Sequence, residues 1–149
     1  MAHAVHPIDV TPAAEALLAA NALPVSDLRG DPPVVLFGAG ADDRLDGVVG
    51  LELHGTVALL RSLAVDADAR RGGLGMALVA HAEQQAAAHG APAVYLLTTT
   101  AAAFFARLGY RDADRRHAPA AIAATRQFSG LCPASSTFMV KHLPRDAPG

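Results

Sequence analysis

The stretch RRGGLG, Arg70–Gly75, lies between an apolar strand-like run that ends at Val65 and a helix-like run that begins near Leu74. The N–H groups in the first turn of a helix have no partner within the helix, and the helix dipole is positive there. Glycines at positions 72, 73 and 75 let the backbone approach an anion closely, and the arginines add positive charge. The stretch therefore predicts an anion site. The alternative interpretation of the same residues is a glycine-rich turn between strand and helix that binds nothing.

A second glycine-rich stretch, FGAGADD at 37–43, follows another strand-like run. It contains G-x-G, but Asp43 stands where a dinucleotide fingerprint has its third glycine, and turn-like acidic residues follow instead of a helix. We interpret this stretch as a hairpin turn. No segment matches G-x-x-x-x-G-K-[ST], so nucleoside triphosphate chemistry is not expected.

The composition indicates a globular protein, because 52% of the 149 residues are hydrophobic and only 17% are charged. A net charge of −2 argues against nucleic-acid binding, and no apolar run is long enough to cross a membrane. Cys132 is the single cysteine, which excludes an internal disulfide. The seven histidines show no metal-ligand spacing, so we expect no metal site. We expect one domain over residues 1–149, located in the cytoplasm.

The order of elements predicts an α/β fold with a mixed sheet, because strands come first and then alternate with helices. In the first half we expect a helix from Thr11-Pro12 to about Ala22, a short helix or turn at 23–28, a strand at 34–40, and two strands around His54-Gly55. In the second half we expect a helix from Leu74 to His89 closed by Gly90, and then a buried strand at 93–98. A helix capped by Thr100 and stopped by Gly109 follows, and a strand begins at Tyr110. The last expected elements are a helix from Pro119 to about Phe128 and a strand at 136–143.

Arg70–Gly75 fits the R/Q-x-x-G-x-G/A signature of the GNAT acyltransferases, and LRSLAV before it resembles their fourth strand. TTTAAAFFARLGY is similar to their second signature, so the likeness covers about 45–110 firmly. The resemblance implies a mixed, mostly antiparallel, twisted sheet of six to seven strands flanked by helices. It also implies acetyl-CoA as cosubstrate. The residues that it implies for coenzyme binding are Leu63, Ala64, Val65, Arg70, Arg71, Gly72, Gly73, Leu74, Gly75, Met76 and Phe105.

A longer likeness joins ELHG, LLRSLAV, YLLTTTAAAFFARLGY and APAAIAATRQFSGLCPASSTFMVK. Together these segments resemble a GNAT subgroup called arsenic-resistance acetyltransferases. The lone Cys132 does not itself indicate arsenic binding, because trivalent arsenic prefers several thiolates.

The sequence departs from the family at the usual proton-transfer positions. Many relatives carry a tyrosine as general acid where this chain has Phe105, an asparagine where it has Thr98, and a glutamate where it has Leu59. The coenzyme site is therefore intact, whereas the acid and the base are missing. A backbone N–H near Val65 is the expected contact for the developing oxyanion, as the resemblance implies.

Glu52 is our candidate general base, because it is a carboxylate within the strand-like run GLELHG, where it alternates with Leu51 and Leu53. A solvent-facing glutamate on an edge strand is the alternative. Arg61 stands among leucines, where an unpaired charge is unfavourable. It would bind the acceptor's acidic group or pair with Glu52, and the sequence favours neither. Arg126 is a second candidate for the acceptor. His81 and His89 are expected near the solvent face of their helix.

The sequence favours an acetyl-CoA-dependent N-acetyltransferase that acts by direct transfer on a small, amino-acid-like amine. The alternatives are a non-catalytic acyl-CoA-binding or sensor domain and, less favoured, a protein acetyltransferase. The expected partner is the small-molecule amine, without nucleic acid or membrane, and a homodimer is left open.

Overall fold

The computed structural model describes residues 4–21, 23, 25, 28, 34–41, 44–67, 73–125 and 136–143. The strands in these residues are β1 (His6–Ile8), β2 (Val35–Ala41), β3 (Arg44–His54), β4 (Val57–Val65), β5 (Ala93–Thr98), β6 (Arg111–Asp112) and β7 (Thr137–His142). The α-helices are α1 (Pro12–Ala20), α2 (Leu74–Ala88), α3 (Ala102–Arg107) and α4 (Ala120–Ala123), with a 3-10 helix at Arg115–His117. None of the described helices is long and apolar enough to cross a membrane.

The strands form one seven-stranded sheet with the order β1-β2-β3-β4-β5-β7-β6. The pairs β1–β2, β2–β3, β5–β7 and β6–β7 are antiparallel. The predicted fold class, a mixed and mostly antiparallel sheet with flanking helices, is confirmed. The chain divides into two compact units, Met1–Glu52 with Leu60–Gln85 and Leu53–Leu59 with Ala86–Gly149. The expectation of a single domain over 1–149 stays a prediction.

In the first unit, α1 packs against the sheet through a buried cluster that includes Leu18, Leu36, Val48 and Ala64. The predicted cap of α1 is confirmed, because the Thr11 hydroxyl accepts a hydrogen bond from the Ala14 N–H at 3.2 Å. Strand β1 was not predicted. It is three residues long and contains a proline, which an edge strand tolerates because its outer N–H groups need no partner.

In the second unit, β5 and β7 pair along their whole length, from Ala93 opposite His142 to Thr98 opposite Thr137. Leu59, Ile122 and Phe138 form the buried cluster of this unit. The Tyr95 ring stacks on Phe138 with centroids 5.6 Å apart, so Tyr95 contributes packing to this unit.

Three residues were predicted to end or cap the helices that flank β5, and the prediction is confirmed for two glycines and wrong for one threonine. Gly90 and Gly109 have positive φ of 85° and 99°, as predicted for residues that follow helix ends. The prediction that Thr100 caps α3 is wrong. The N-cap is Ala101, whose own N–H donates to the Thr98 hydroxyl at 3.0 Å, so the helix starts later than expected.

Helix α4 is shorter than predicted. It begins after Pro119, as expected, but it ends at Ala123 rather than near residue 128. The Thr125 N–H and hydroxyl both bond to the Ile122 carbonyl, which closes the turn. Three parts of the chain lie outside the described residues: residues 126–135 with Arg126 and Cys132, half of the predicted turn at 23–28, and the tail after 143.

Candidate functional site

The end of β4 and the first turn of α2 meet over Gly47 of β3. A Cβ added to Gly47 would lie 2.8 Å from Leu78 Cδ1, 3.0 Å from Leu74 Cδ2 and 3.3 Å from the Ala64 carbonyl oxygen. Both leucines are buried side chains of α2. The missing side chain at Gly47 therefore allows the start of α2 to rest directly beside the end of β4.

The last three residues of β4 are among those that the family resemblance implies for coenzyme binding. Ala64 is buried, whereas Leu63 and Val65 are half-buried. Just beyond them, the Asp66 N–H donates to the Asp46 carbonyl at 2.7 Å, which keeps the chain attached to β3. The segment is thus fixed between β3 and the start of α2.

The N-terminus of α2 has the shape that an anion site requires. Gly73 adopts a left-handed conformation with φ of 75°, and its carbonyl accepts the first helical hydrogen bond from Ala77 at 3.1 Å. A Cβ added to Gly73 would meet no atom of the described residues within 4 Å, so the space in front of it is open with respect to that part of the chain. The first turn of α2 contains no acidic residue that would repel an anion. The N–H groups of Leu74, Gly75 and Met76 emerge at this end, and a diphosphate would fit them.

Four more residues predicted to bind the coenzyme lie in or just before the first turn of α2. Met76, in the same first turn, is 56% exposed. Arg70, Arg71 and Gly72 lie outside the described residues, so their role stays a prediction.

Phe105 belongs to α3 and is buried. Its ring makes edge contacts with Phe104 at 5.1 Å and Tyr110 at 5.5 Å between centroids. The Tyr110 N–H also donates to the Phe105 carbonyl at 3.1 Å. These contacts account for the burial of the Phe105 side chain, which has no hydroxyl for proton transfer. Its contact with the coenzyme stays a prediction.

Arg61 and Glu52 form a buried ion pair, with Arg61 NH1 3.0 Å from Glu52 Oε2. The Arg61 side chain has 0% exposure and that of Glu52 has 9%. Arg61 Nε also donates to the Ser62 hydroxyl at 3.0 Å. Of the two arrangements considered for Arg61, the ion pair is therefore present. Glu52 is not the solvent-facing side chain of the alternative expectation.

His81 is half-buried, although a position near the solvent face was expected. Its ring lies edge-on to Phe37 of β2, with centroids 4.8 Å apart, and its Nε2 is buried with no hydrogen-bond partner among the described residues. Burial lowers the pKa of His81 from its usual value, because the charged imidazolium loses its hydration. This contact was not predictable from the sequence of α2, because its many alanines do not distinguish an inward side from an outward one.

His81 should make stability depend on pH. Because its pKa is lower in the folded protein, acidification below a pKa of about 6.5 protonates the unfolded chain first. We therefore expect the melting temperature to fall as the pH drops from 7 to 5, and His81→Leu to flatten that part of the curve. Leu59→Ala, which removes buried apolar contacts without changing a titratable side chain, is the control and should leave the slope unchanged. Equal slopes for wild type and His81→Leu would contradict the assignment.

Two features near the site were missed by sequence reading. Gly47 did carry a usable signal, because glycine within a strand often marks a close backbone approach. Ser62 carried none, since its left-handed conformation depends on tertiary contacts. Among the described residues, no group of three or more His, Cys, Asp or Glu side chains could hold a metal ion.

The solved structures that resemble this chain share its fold. N-acetylglutamate synthase from Neisseria gonorrhoeae, complexed with coenzyme A and N-acetyl-glutamate, aligns with a TM-score of 0.79 at 20% identity, over 95% of this chain and 35% of that one. This chain thus spans about a third of that synthase. Rv2747 from Mycobacterium tuberculosis, in complex with CoA and NLQ, aligns with a TM-score of 0.76 at 20% identity, over 95% and 99% of the two chains. A GNAT family acetyltransferase from Elizabethkingia anophelis with acetyl-CoA bound aligns with a TM-score of 0.66 at 15% identity, over 94% and 97%.

The family assignment rests on a sequence match. The comparison with curated proteins found no match. The model of the acetyltransferase (GNAT) family matches residues 5–110, which is most of the chain and includes both signatures predicted from the sequence. This chain therefore belongs to the acetyltransferase (GNAT) family.

Proposed function

We propose that this chain transfers the acetyl group of acetyl-CoA directly to the amino group of a small, amino-acid-like acceptor. The observation that carries the proposal is the open, left-handed Gly73 at the start of α2, placed beside the end of β4 over Gly47. The N–H groups of the first turn of α2 would bind the pyrophosphate, with Arg70 and Arg71 adding charge. The backbone of Leu63–Val65 would hold the pantetheine arm.

In the transfer step, the neutral amine attacks the thioester carbonyl carbon. A C–N bond forms, the C–S bond breaks, and the amine loses a proton. A backbone N–H near Val65 is the proposed contact for the carbonyl oxygen as it becomes negative. Glu52 is the candidate acceptor of the amine proton. Because Phe105 has no hydroxyl, the thiolate would leave without a proton from that side chain, and orientation by the site would supply much of the acceleration.

The acceptor is proposed to be small and amino-acid-like. N-acetylglutamate synthase, one of the structures that this fold resembles, was crystallised with N-acetyl-glutamate. Arg126 remains a candidate for binding an acidic group of the acceptor. Arg61 is a weaker candidate, because its side chain is fully buried against Glu52 and Ser62.

The acceptor class can be tested with matched pairs of amines. Each α-amino acid in the panel is compared with the amine that lacks its carboxylate, and acetylated products are identified by mass spectrometry. We expect kcat/KM to favour the amino acid of the preferred pair by about tenfold or more, since a charge-assisted hydrogen bond contributes about 1.5–3 kcal/mol. Preference for a lysine-containing peptide would instead favour a protein acetyltransferase. Coenzyme binding without any product would favour the acyl-CoA-binding alternative.

Membership of the arsenic-resistance subgroup is a separate proposal that rests on the sequence likeness. Part of that likeness, residues 126–135, lies outside the described residues. Expression of the chain in an arsenic-sensitive bacterium should raise tolerance to an amine-bearing arsenical, and a Gly73→Val variant should not. Equal growth of both strains at every concentration would remove this proposal.

A further inference from the structure

Ser62 is the single non-glycine residue with positive φ among the described residues, and it lies in the middle of a strand. Its φ is 60°, a left-handed conformation that L-amino acids with a side chain rarely adopt. The residue is buried, so solvent exposure does not explain the conformation. Such a residue persists only where its surroundings hold it in place.

The side chains around Ser62 show what holds it. Neighbouring residues of a regular strand point to opposite faces, so their side chains do not normally bond to each other. Here Arg61 Nε donates to the Ser62 hydroxyl at 3.0 Å. The left-handed turn at Ser62 brings both side chains to one side of the strand, and the hydrogen bond in turn stabilises that turn.

Arg61 is itself fixed on two sides. Its NH1 donates to Glu52 Oε2 at 3.0 Å, and its side chain is fully buried. Its carbonyl oxygen lies 3.2 Å from the position that a Cβ on Gly50 would occupy, so its backbone is close against β3. Glu52, Arg61 and Ser62 thus form a buried chain of contacts that connects β3 to the bend in β4.

We propose that Ser62 is a positioning residue for acyl-CoA, with Arg61 and Glu52 holding its left-handed bend. The bend sets the direction of the next three residues, Leu63–Val65. In the proposed function these residues carry the pantetheine arm, and the inference rests on that function for its ligand. The role of Ser62 is to orient backbone groups, without itself contacting the reacting atoms.

The test compares Ser62→Val, Ser62→Asn and the control Leu59→Ala. Valine disfavours the left-handed conformation, whereas asparagine tolerates it and keeps a polar group. Leu59 is fully buried in β4 and precedes the bend, so its truncation lowers stability without removing the contacts of Ser62. Two quantities are measured: the Kd for coenzyme A by calorimetry, and the hydrogen-exchange rates of the Leu63, Ala64 and Val65 amides by NMR without ligand.

We expect Ser62→Val to raise the Kd about tenfold or more, which corresponds to ~1.4 kcal/mol. It should also accelerate exchange at the three amides more than elsewhere in the chain. Ser62→Asn should restore both quantities to near the wild-type values. Leu59→Ala should lower the melting temperature and leave the Kd unchanged. Any increase in its exchange rates should be no larger at the three amides than elsewhere in the chain. If Ser62→Val does not fold, Ser62→Ala serves as the second variant, with smaller changes in the same direction.

Wild-type Kd and unchanged exchange in a folded Ser62→Val or Ser62→Ala variant would overturn the inference. So would a Ser62→Asn variant that is as impaired as the valine variant. A wild-type protein that binds no coenzyme A would defeat the proposed function instead. The exchange rates, which need no ligand, would then still decide whether Ser62 orients Leu63–Val65.

Discussion

Gly73→Val is expected to abolish coenzyme A binding while the protein remains folded. Valine is a poor residue at a φ of 75°, so the substitution would change the backbone from which the first N–H groups of α2 emerge. Its side chain would also enter the space in front of α2, where no atom of the described residues lies within 4 Å of the new Cβ. The coenzyme would lose that space, whereas the packing among the described residues would be unchanged. Calorimetric titration with coenzyme A measures the effect.

Gly90→Val is the matched control, because it imposes the same backbone strain beyond the other end of the same helix. Gly90 has a φ of 85°, and an added Cβ there also meets no atom within 4 Å. Both variants should melt at similarly reduced temperatures, and Gly90→Val should bind coenzyme A as the wild type does. Equal coenzyme affinity in the two variants would show that Gly73 has no part in the site.

Breaking the buried ion pair is expected to cause the largest loss of stability. Arg61→Met leaves the Glu52 carboxylate without the guanidinium that it contacts at 3.0 Å, and Glu52→Leu leaves the arginine charge buried in the same way. Each single substitution should reduce the free energy of unfolding by about 3–5 kcal/mol, whereas an apolar replacement of a whole buried pair is often close to neutral. The double variant should therefore be more stable than either single one. Denaturant unfolding of all four proteins measures the coupling, and additive losses would contradict it.

Steady-state kinetics of Glu52→Gln separate catalysis from positioning. The amide keeps the size of the side chain and an acceptor oxygen, but it cannot take a proton from the amine. If Glu52 is the general base, kcat should fall by about 10²–10⁴-fold while the coenzyme affinity stays constant. A kcat within tenfold of the wild type would remove Glu52 from the proton transfer and leave it as the partner of Arg61.

Local signals in the sequence predicted the helices best where the chain itself supplies the hydrogen bond or the turn. Thr11 caps α1 with its own hydroxyl, and Gly90 and Gly109 follow their helices with positive φ, as expected. The prediction that Thr100 caps α3 was wrong, because the Ala101 N–H donates its hydrogen bond to the hydroxyl of Thr98, two residues earlier. Neighbouring threonines offer the same chemistry, and the sequence does not show which of them the backbone reaches.

Contacts between strands were harder to predict, because they depend on register. From the sequence, Arg61 was equally expected to bind the acceptor's acidic group or to pair with Glu52. Strands β3 and β4 are neighbours in the sheet, and this arrangement brings Arg61 and Glu52 together as an ion pair. The bend at Ser62 and the contact of the His81 ring with Phe37 also depend on tertiary structure. The coenzyme site was predictable through the family signature, since the glycines and the start of α2 lie close together in the sequence.

The most direct test of the central claim is the release of free thiol from acetyl-CoA by the purified chain, followed with and without the panel of small amines. The account predicts many turnovers per protein molecule that depend on one class of amine, with acetylated amine formed in equal amount to the thiol. Gly73→Val should abolish this release, and Gly90→Val should retain it. Saturable binding of acetyl-CoA without amine-dependent thiol release across the panel would contradict the claim and favour a binding domain.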